Sequence, residues 1–370
     1  MSSLLFSPLE IGGVTLPNRI VISPMCQYSA EDGCAGNWHI MHIGQFAVAN
    51  PGLIMLEGTA VEVGGRISVG DLCLYTDEQE EALARLVAFV RMHSDARIGI
   101  QLFHSGRKGS RRTGKQGSGS LSEADGGWLL LGPSNIPYSD EYPVPVEASI
   151  DDLVRVENAF VSAAIRAQRA GIDIVELHYA HGYYLHTFLS ALSNHRDDDY
   201  GGDWERRSRH PLDIFESVRA KLAASVALGA RISGDDHGLE PGAWRLDDAL
   251  RFGQMLVERG AAFLDVSSGD LSPAQHIPNY GPGFQVGLAE RVRQETGAPT
   301  FTVGVITSGR QAETILRSGA ADAIAIGRGA LYNPRWPWHA AHELGEMPRF
   351  PPQYQRVFDL GFPAMFMEGG

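Results

Sequence analysis

Short apolar runs rich in β-branched residues recur along the chain, separated by longer stretches of helical periodicity. That alternation predicts parallel β-α units. It yields eight strands: Ile20–Ser23, Leu53–Leu56, Ile98–Leu102, Ile174–Leu177, Ala230–Ser233, Phe263–Val266, Thr300–Val303 and Ala323–Ile326. The clearest helix is Ile150–Ala170, where Leu153, Val156, Phe160, Ala163, Ala164 and Ala167 share a face and Ser149 is placed to cap. A second, Asp77–His93, aligns Leu83, Leu86, Val87 and Val90. Eight such units predict a (β/α)8 TIM barrel with its chemistry at the C-terminal ends of the strands. A doubly wound sheet is the alternative fold, but no G-x-G-x-x-G follows the first strand. Residues 1–370 thus read as one barrel domain with a long excursion, Gly106–Glu147, after the third strand and an extension after Trp338. Structureless loops of that length are usually functional or disordered.

Composition narrows the functional classes. The net charge of −13 argues against a general nucleic-acid binder and against a protein resting on anionic lipid. Three cysteines, Cys26, Cys34 and Cys73, include no C-x-x-C pair and cannot form a closed disulfide framework, which points to a reducing compartment. The first residues show no basic segment leading into an apolar one, and no apolar stretch is long enough to span a bilayer. These features predict a cytoplasmic enzyme that uses no membrane.

Candidate chemistry clusters at the predicted strand ends. The first strand runs into Ser23-Pro24-Met25-Cys26-Gln27-Tyr28, and the fourth into His178-Tyr179-Ala180-His181-Gly182-Tyr183. Cys26 is either a rim residue or a small buried hydrophobe. Two histidines at a strand end can donate hydrogen bonds to one substrate oxygen, bind a metal, or simply pack. Tyr183 reads as a proton donor or as a packing residue. A second pair with the same spacing, His39 and His42, opens a helical stretch and reads as structural. Gly304, Gly327 and Arg328 end the last two strands, where barrels often hold a phosphate. Arg231 ends the fifth strand and needs an anionic partner, while Gln101 offers both donor and acceptor to a ring edge. The basic run Arg107, Lys108, Arg111, Arg112 and Lys115 reads first as a solvated face, and second as a lid attracting an anionic nicotinamide cofactor.

Taken together, these motifs resemble the Old Yellow Enzyme family of flavin-dependent ene-reductases, especially its thermophilic-like class with the xenobiotic reductases. The resemblance runs from Pro17-Asn-Arg-Ile20 to about Arg356, and includes His104-Ser-Gly-Arg-Lys108, Ser193-Asn-His-Arg196 and Arg231-Ile-Ser233. It implies non-covalent FMN at the strand C-termini and NADPH or NADH as reductant. Ser23, Pro24, Met25 and Cys26 would line the flavin, with Gly58 and Gln101 on its ring. Arg231 would sit at the pyrimidine edge, favouring the anionic reduced form, and Gly304, Gly327 and Arg328 would hold the phosphate. Substrates would be activated alkenes, held by His178 and His181, oriented by Tyr28 and protonated by Tyr183. Cys26 would modulate the flavin rather than act as a nucleophile. The resemblance also implies a homodimer or homotetramer in which Arg356 reaches a neighbouring site.

The sequence departs from the family pattern in places. Asp203 and Arg206 replace serine and asparagine in Tyr200-Gly-Gly-Asp-Trp-Glu-Arg-Arg207, which puts local packing there in question. Gly58 stands where alanine is usual, and Tyr179 is bulkier than the residue often found between the histidines. Two other readings compete. One is a metal-dependent TIM-barrel lyase or hydrolase using His178 and His181 as ligands. The other is a barrel that keeps FMN without turnover.

Overall fold

The computed structural model describes residues 2–113, 117–238 and 240–356. Lys115 and the chain beyond Arg356 lie outside the described residues. Two short strands, β1 (Leu9–Ile11) and β2 (Val14–Leu16), form an antiparallel hairpin before the barrel begins. The barrel strands are β3 (Ile20–Ile22), β4 (Leu53–Ala60), β5 (Arg97–Phe103), β8 (Ile174–Tyr179), β9 (Ala227–Ser233), β10 (Leu264–Ser267), β11 (Thr300–Thr302) and β12 (Ala323–Ile326). All pair in parallel, and β12 returns to β3 to close the barrel. Strands β6 (Leu131–Gly132) and β7 (Val146–Glu147) pair separately inside the excursion.

The outer layer contains α1 (Asn37–Ala49), α2 (Asp77–His93), α3 (Ile150–Arg169), α4 (Tyr184–Leu189), α5 (Trp204–Lys221), α6 (Leu246–Glu258), α7 (Val286–Thr296), α8 (Gly309–Arg317), α9 (Arg328–Tyr332) and α10 (Trp336–Leu344). Helix α3 begins where expected, because the Ser149 side chain accepts the Asp152 N–H. In α5 the departure at Asp203 keeps the same function: its carboxylate accepts the Arg206 N–H at 2.9 Å as the cap. The neighbouring Trp204 packs in a stacked arrangement on Trp244, ring centroids 5.7 Å apart.

All eight expected barrel strands are present, with shifted ends. Strand β4 runs on to Ala60, and its pairing with β5 shifts between Leu56 and Gly58. Such a bulge resets the in-out alternation of side chains. The hairpin was not visible in the pattern, since three residues are too few to show a period. It matters nonetheless. Ile11, Val14 and Leu16 pack against Val21, Leu53, Ile174, Ala227, Phe263, Phe301 and Ala323, filling the N-terminal end of the barrel with apolar side chains. Period-two alternation then points Gln101, Glu176, Arg231 and Asp265 into the interior one step higher, and all four are buried. Polar chemistry therefore begins halfway up the barrel.

Candidate active site

Above the polar layer, a cavity of about 630 Å³ opens at the strand C-termini. That lies within the usual range for small-molecule sites, about 300–1,000 Å³. Ser23, Pro24 and Met25 form one wall, His181 and Arg231 another, and Gly304, Gly327 and Arg328 the far end. At Gly304 the backbone has φ +124°, a region open to glycine, and a Cβ there would lie 2.9 Å from Gln285 Nε2. At Gly327 a Cβ would meet nothing nearer than 3.8 Å, so the chain leaves space beside Ser23 and Met25. Arg328 is exposed and donates to the Tyr280 hydroxyl at 2.5 Å.

A second, aromatic compartment adjoins this cavity. Tyr28 and Tyr183 pack against Ala60, Ile67, Cys73 and Phe103. Tyr183 lies edge-on to Phe103 at 5.4 Å and to His178 at 5.0 Å. Gly58 faces Cys26: a Cβ at 58 would sit 3.3 Å from the Cys26 sulfur and from Phe103. The glycine thus gives the thiol room.

The two histidines join the compartments. Their rings are perpendicular, with centroids 5.1 Å apart. Positive φ at His181 (+59°) and Gly182 (+67°) bends the chain sharply after β8, bringing the second ring beside the first. His178 Nδ1 accepts the Ala180 N–H at 3.3 Å, which leaves the proton of the neutral ring on Nε2. His181 Nε2 meets Ser267 Oγ at 2.8 Å. Burial holds both imidazoles well below their usual pKa, and the Arg231 charge adds to the effect. Both are therefore neutral at physiological pH. Burial likewise pushes the Tyr183 phenol well upward, and it raises the Cys26 thiol with help from Glu57 and Asp71. Cys26 is thus a thiol rather than a thiolate.

Tyr179 has no effect on the space between the histidines. It points out of the barrel, packs on Phe252 at 5.3 Å, and donates to the Pro211 carbonyl at 3.0 Å. The solvated-face reading of the basic run fails at its start, because Arg107 and Lys108 are buried. Arg107 donates to the carbonyls of Ile136, Pro137 and Leu271. Lys108 Nζ donates to the His181 carbonyl at 2.9 Å and to the Asp270 carboxylate at 2.7 Å. These bonds pin the excursion over the turn that carries His181. Arg231 has a partner inside the chain: its Nη1 lies 3.5 Å from Asp265 Oδ2. Gln101 donates to Glu176 Oε1 at 2.7 Å. Sequence reasoning missed Asp265, Glu176, Ser267 and Phe103, each an interior position of a predicted strand or its end. Arg356 is exposed and does not line the cavity of its own chain.

Among the described residues, no group of three His, Cys, Asp or Glu side chains gathers to hold a metal ion. A flavin mononucleotide suits the residues better. Ser23 Oγ and Arg231 Nε are buried donors without a protein partner beside the cavity, and its glycine-lined end keeps backbone accessible. Comparison with known proteins decides the lineage: residues 4–346 match the sequence profile of the NADH:flavin oxidoreductase / NADH oxidase family. The chain belongs to that family. An NADPH dehydrogenase of Geobacillus sp. (strain WCH70) is 44% identical over 358 residues, covering 96% of this chain and 99% of that protein. An NADPH dehydrogenase of Bacillus cytotoxicus is 43% identical over 96% of this chain and 97% of its own. Among solved structures, morphinone reductase superposes with a TM-score of 0.77 at 27% identity, covering 95% of this chain and 93% of that one. A morphinone reductase complex with tetrahydroNAD gives 0.76 at 26% identity, covering 95% and 94%. Members of the NADH:flavin oxidoreductase family are FMN-dependent oxidoreductases with a nicotinamide reductant, and this chain is one of them. No helix among the described residues is long and apolar enough to cross a membrane.

Proposed function

We propose that the protein is an ene-reductase acting on α,β-unsaturated aldehydes, ketones, maleimides and nitroalkenes. Bound FMN would supply the relay of hydride from NADPH or NADH to the β-carbon of the alkene. The observation that carries this reading is the neutral, perpendicular pair His178 and His181, set between the cavity and the Tyr183 phenol. His178 offers an N–H at Nε2 to the substrate's electron-withdrawing oxygen and stabilises the charge that develops there. His181 supports the same oxygen from the second ring. Tyr183, kept protonated by burial, holds a proton at its hydroxyl for the α-carbon. Tyr28 and Phe103 would bound the apolar body of the substrate, while Cys26 would face the flavin as an uncharged thiol. Ser23, Pro24, Met25, Gly58, Gln101 and Arg231 would contact the flavin ring, and Gly304, Gly327 and Arg328 its phosphate. Arg356 would complete the site of a neighbouring subunit in a homodimer or homotetramer.

The test is the visible spectrum of the purified protein during titration with p-hydroxybenzaldehyde, followed by NADPH oxidation with cyclohexenone. A flavin band that gains a long-wavelength charge-transfer band, with alkene-dependent turnover, is expected. A flavin-loaded protein that neither binds the phenol nor reduces the alkene would overturn the substrate assignment.

A further inference from the structure

Beneath the cavity, the barrel interior holds more charge than the proposed chemistry uses. Glu176, Asp265 and Arg231 are 0%, 2% and 7% exposed. The register places Asp265 beside Arg231 and Glu176 beside Gln101. Glu176 Oε1 accepts from Gln101, and Asp265 Oδ2 lies 3.5 Å from Arg231 Nη1. The second oxygen of each carboxyl, Glu176 Oε2 and Asp265 Oδ1, is buried without a hydrogen-bond partner among the described residues. An ionised carboxylate can only accept, so a buried oxygen with no donor is costly, and a proton on the group removes the charge that would be stranded there. Counted ionised, the three groups would carry net −1 in a dry interior; with one shared proton they are neutral.

We propose that Glu176 and Asp265 hold one proton between them, and that this pair takes up a proton when negative charge arrives on the ring bound above Arg231 and Gln101. This rests on the FMN reading of the same site. Gln101 and Arg231 are the residues assigned there to the flavin ring, and each leans on one member of the pair. The surroundings contain few competing groups. From β9 comes Arg231; from the end of β8 come His178 and His181; Lys108 lies beyond His181. Strand β5 offers neutral Gln101 and β10 neutral Ser267, while Met55, Phe301, Ala325 and Val21 from the other strands are apolar. Burial is the main reason that the Glu176 carboxyl is pushed up, to about 8, with Asp265 adding to it. Asp265 is raised by the same burial, against the pull of Arg231.

The proton balance is explicit. Hydride carries two electrons and one hydrogen from NADPH to the cofactor, and NADP⁺ leaves. If the added charge stays on the cofactor, no solvent proton is needed for that step. Any solvent proton consumed then goes to the carboxylate pair, which is short of one only above its own pKa.

The experiment is stoichiometric proton uptake during anaerobic reduction of the FMN-loaded protein by NADPH, followed with an indicator dye from about pH 7 to 10, across the range where a strongly raised carboxyl titrates. The expected result is uptake approaching one proton per cofactor near the alkaline end. It should be absent near neutrality, and absent at all pH values in Glu176→Gln. Asp265→Asn should abolish it too, provided that the variant folds. Equal uptake in the wild type and in Glu176→Gln would overturn the proposal. Infrared spectroscopy of the flavin-free protein gives a second readout. Buried Asp236 and Asp71 are pushed up as well, so the readout is the difference between wild type and Glu176→Gln: a carboxylic-acid C=O component should be lost in the variant at neutral pH and should fade in the wild type as pH rises; identical spectra in the two would also overturn the proposal. A protein that shows that difference yet takes up no flavin would refute the FMN reading and leave the shared proton standing.

Discussion

His39 and His42 have the spacing of His178 and His181, but the first pair rides on helix α1 and the second on the end of strand β8. On the helix, positions three apart share a face, and both rings turn inward. His39 Nδ1 accepts the Gly36 N–H at 3.1 Å and its Nε2 meets Glu57 at 3.2 Å. His42 meets Gln45 at 3.3 Å and packs edge-on against Phe46. The protein itself occupies these rings. At the strand end, a left-handed turn sets the second ring perpendicular to the first, and His178 Nε2 keeps its proton with no protein partner among the described residues. Spacing carries no chemistry until the backbone decides which nitrogens are left over.

The difference can be broken from either side. Removing both site rings, His178→Ala with His181→Ala, should produce the largest effect: phenol affinity falling by up to about tenfold for each hydrogen bond lost, with FMN still bound. His42→Ala should instead lower thermal stability by about 2 kcal/mol, as expected for a buried side chain removed, and leave phenol titration unchanged. Equal loss of phenol binding in both variants, by absorbance titration, would erase the distinction.

Tyr183→Phe comes next. Loss of a positioned proton donor should slow alkene reduction by about 10²–10⁴-fold while sparing flavin reduction by NADPH, which stopped-flow measurement separates. Equal slowing of both half-reactions would remove Tyr183 from the proton-donor position.

The pH response sharpens the comparison further. His42 is held at about 4 by burial, below its unfolded value of 6.5. The unfolded chain therefore binds the proton first, so this contribution is complete above pH 6.5 and is lost as pH falls towards 4. His42→Gln should flatten that part of the stability curve, read by denaturant midpoint against pH. At the site both histidines stay neutral over the same window, so phenol affinity should not fall as pH rises through the ordinary imidazole range. A fall there would mean that an imidazolium holds the phenol. The smallest effect belongs to Tyr179→Phe, which loses one buried hydrogen bond, costs about 1 kcal/mol in stability and leaves turnover alone.

Much of this arrangement was legible in the sequence, because barrel strands are buried on both faces and read as β-branched apolar runs. The cap at Ser149 was legible for a similar local reason, whereas Asp203 read only as a departure and turned out to be a cap. What escaped was non-local. Lys108 looked like one more charge in a solvated run, and its partner Asp270 stands 162 residues away. Glu176 and Asp265 sat inside apolar strands with nothing to show that they meet across the interior. Among the site roles, the placement of His178, His181, Tyr183 and Cys26 could be read from strand ends, but the bulge at Gly58 and the turn at His181 are backbone events that only coordinates reveal.

The hairpin of β1 and β2 has a consequence for traffic. By stoppering the N-terminal end with Ile11, Val14 and Leu16, it makes the barrel a vessel with one neck. Whatever reacts above the polar layer arrives and departs by the same route. Under the proposed function, a nicotinamide and an alkene would queue for that opening, and an excess of either would delay the other.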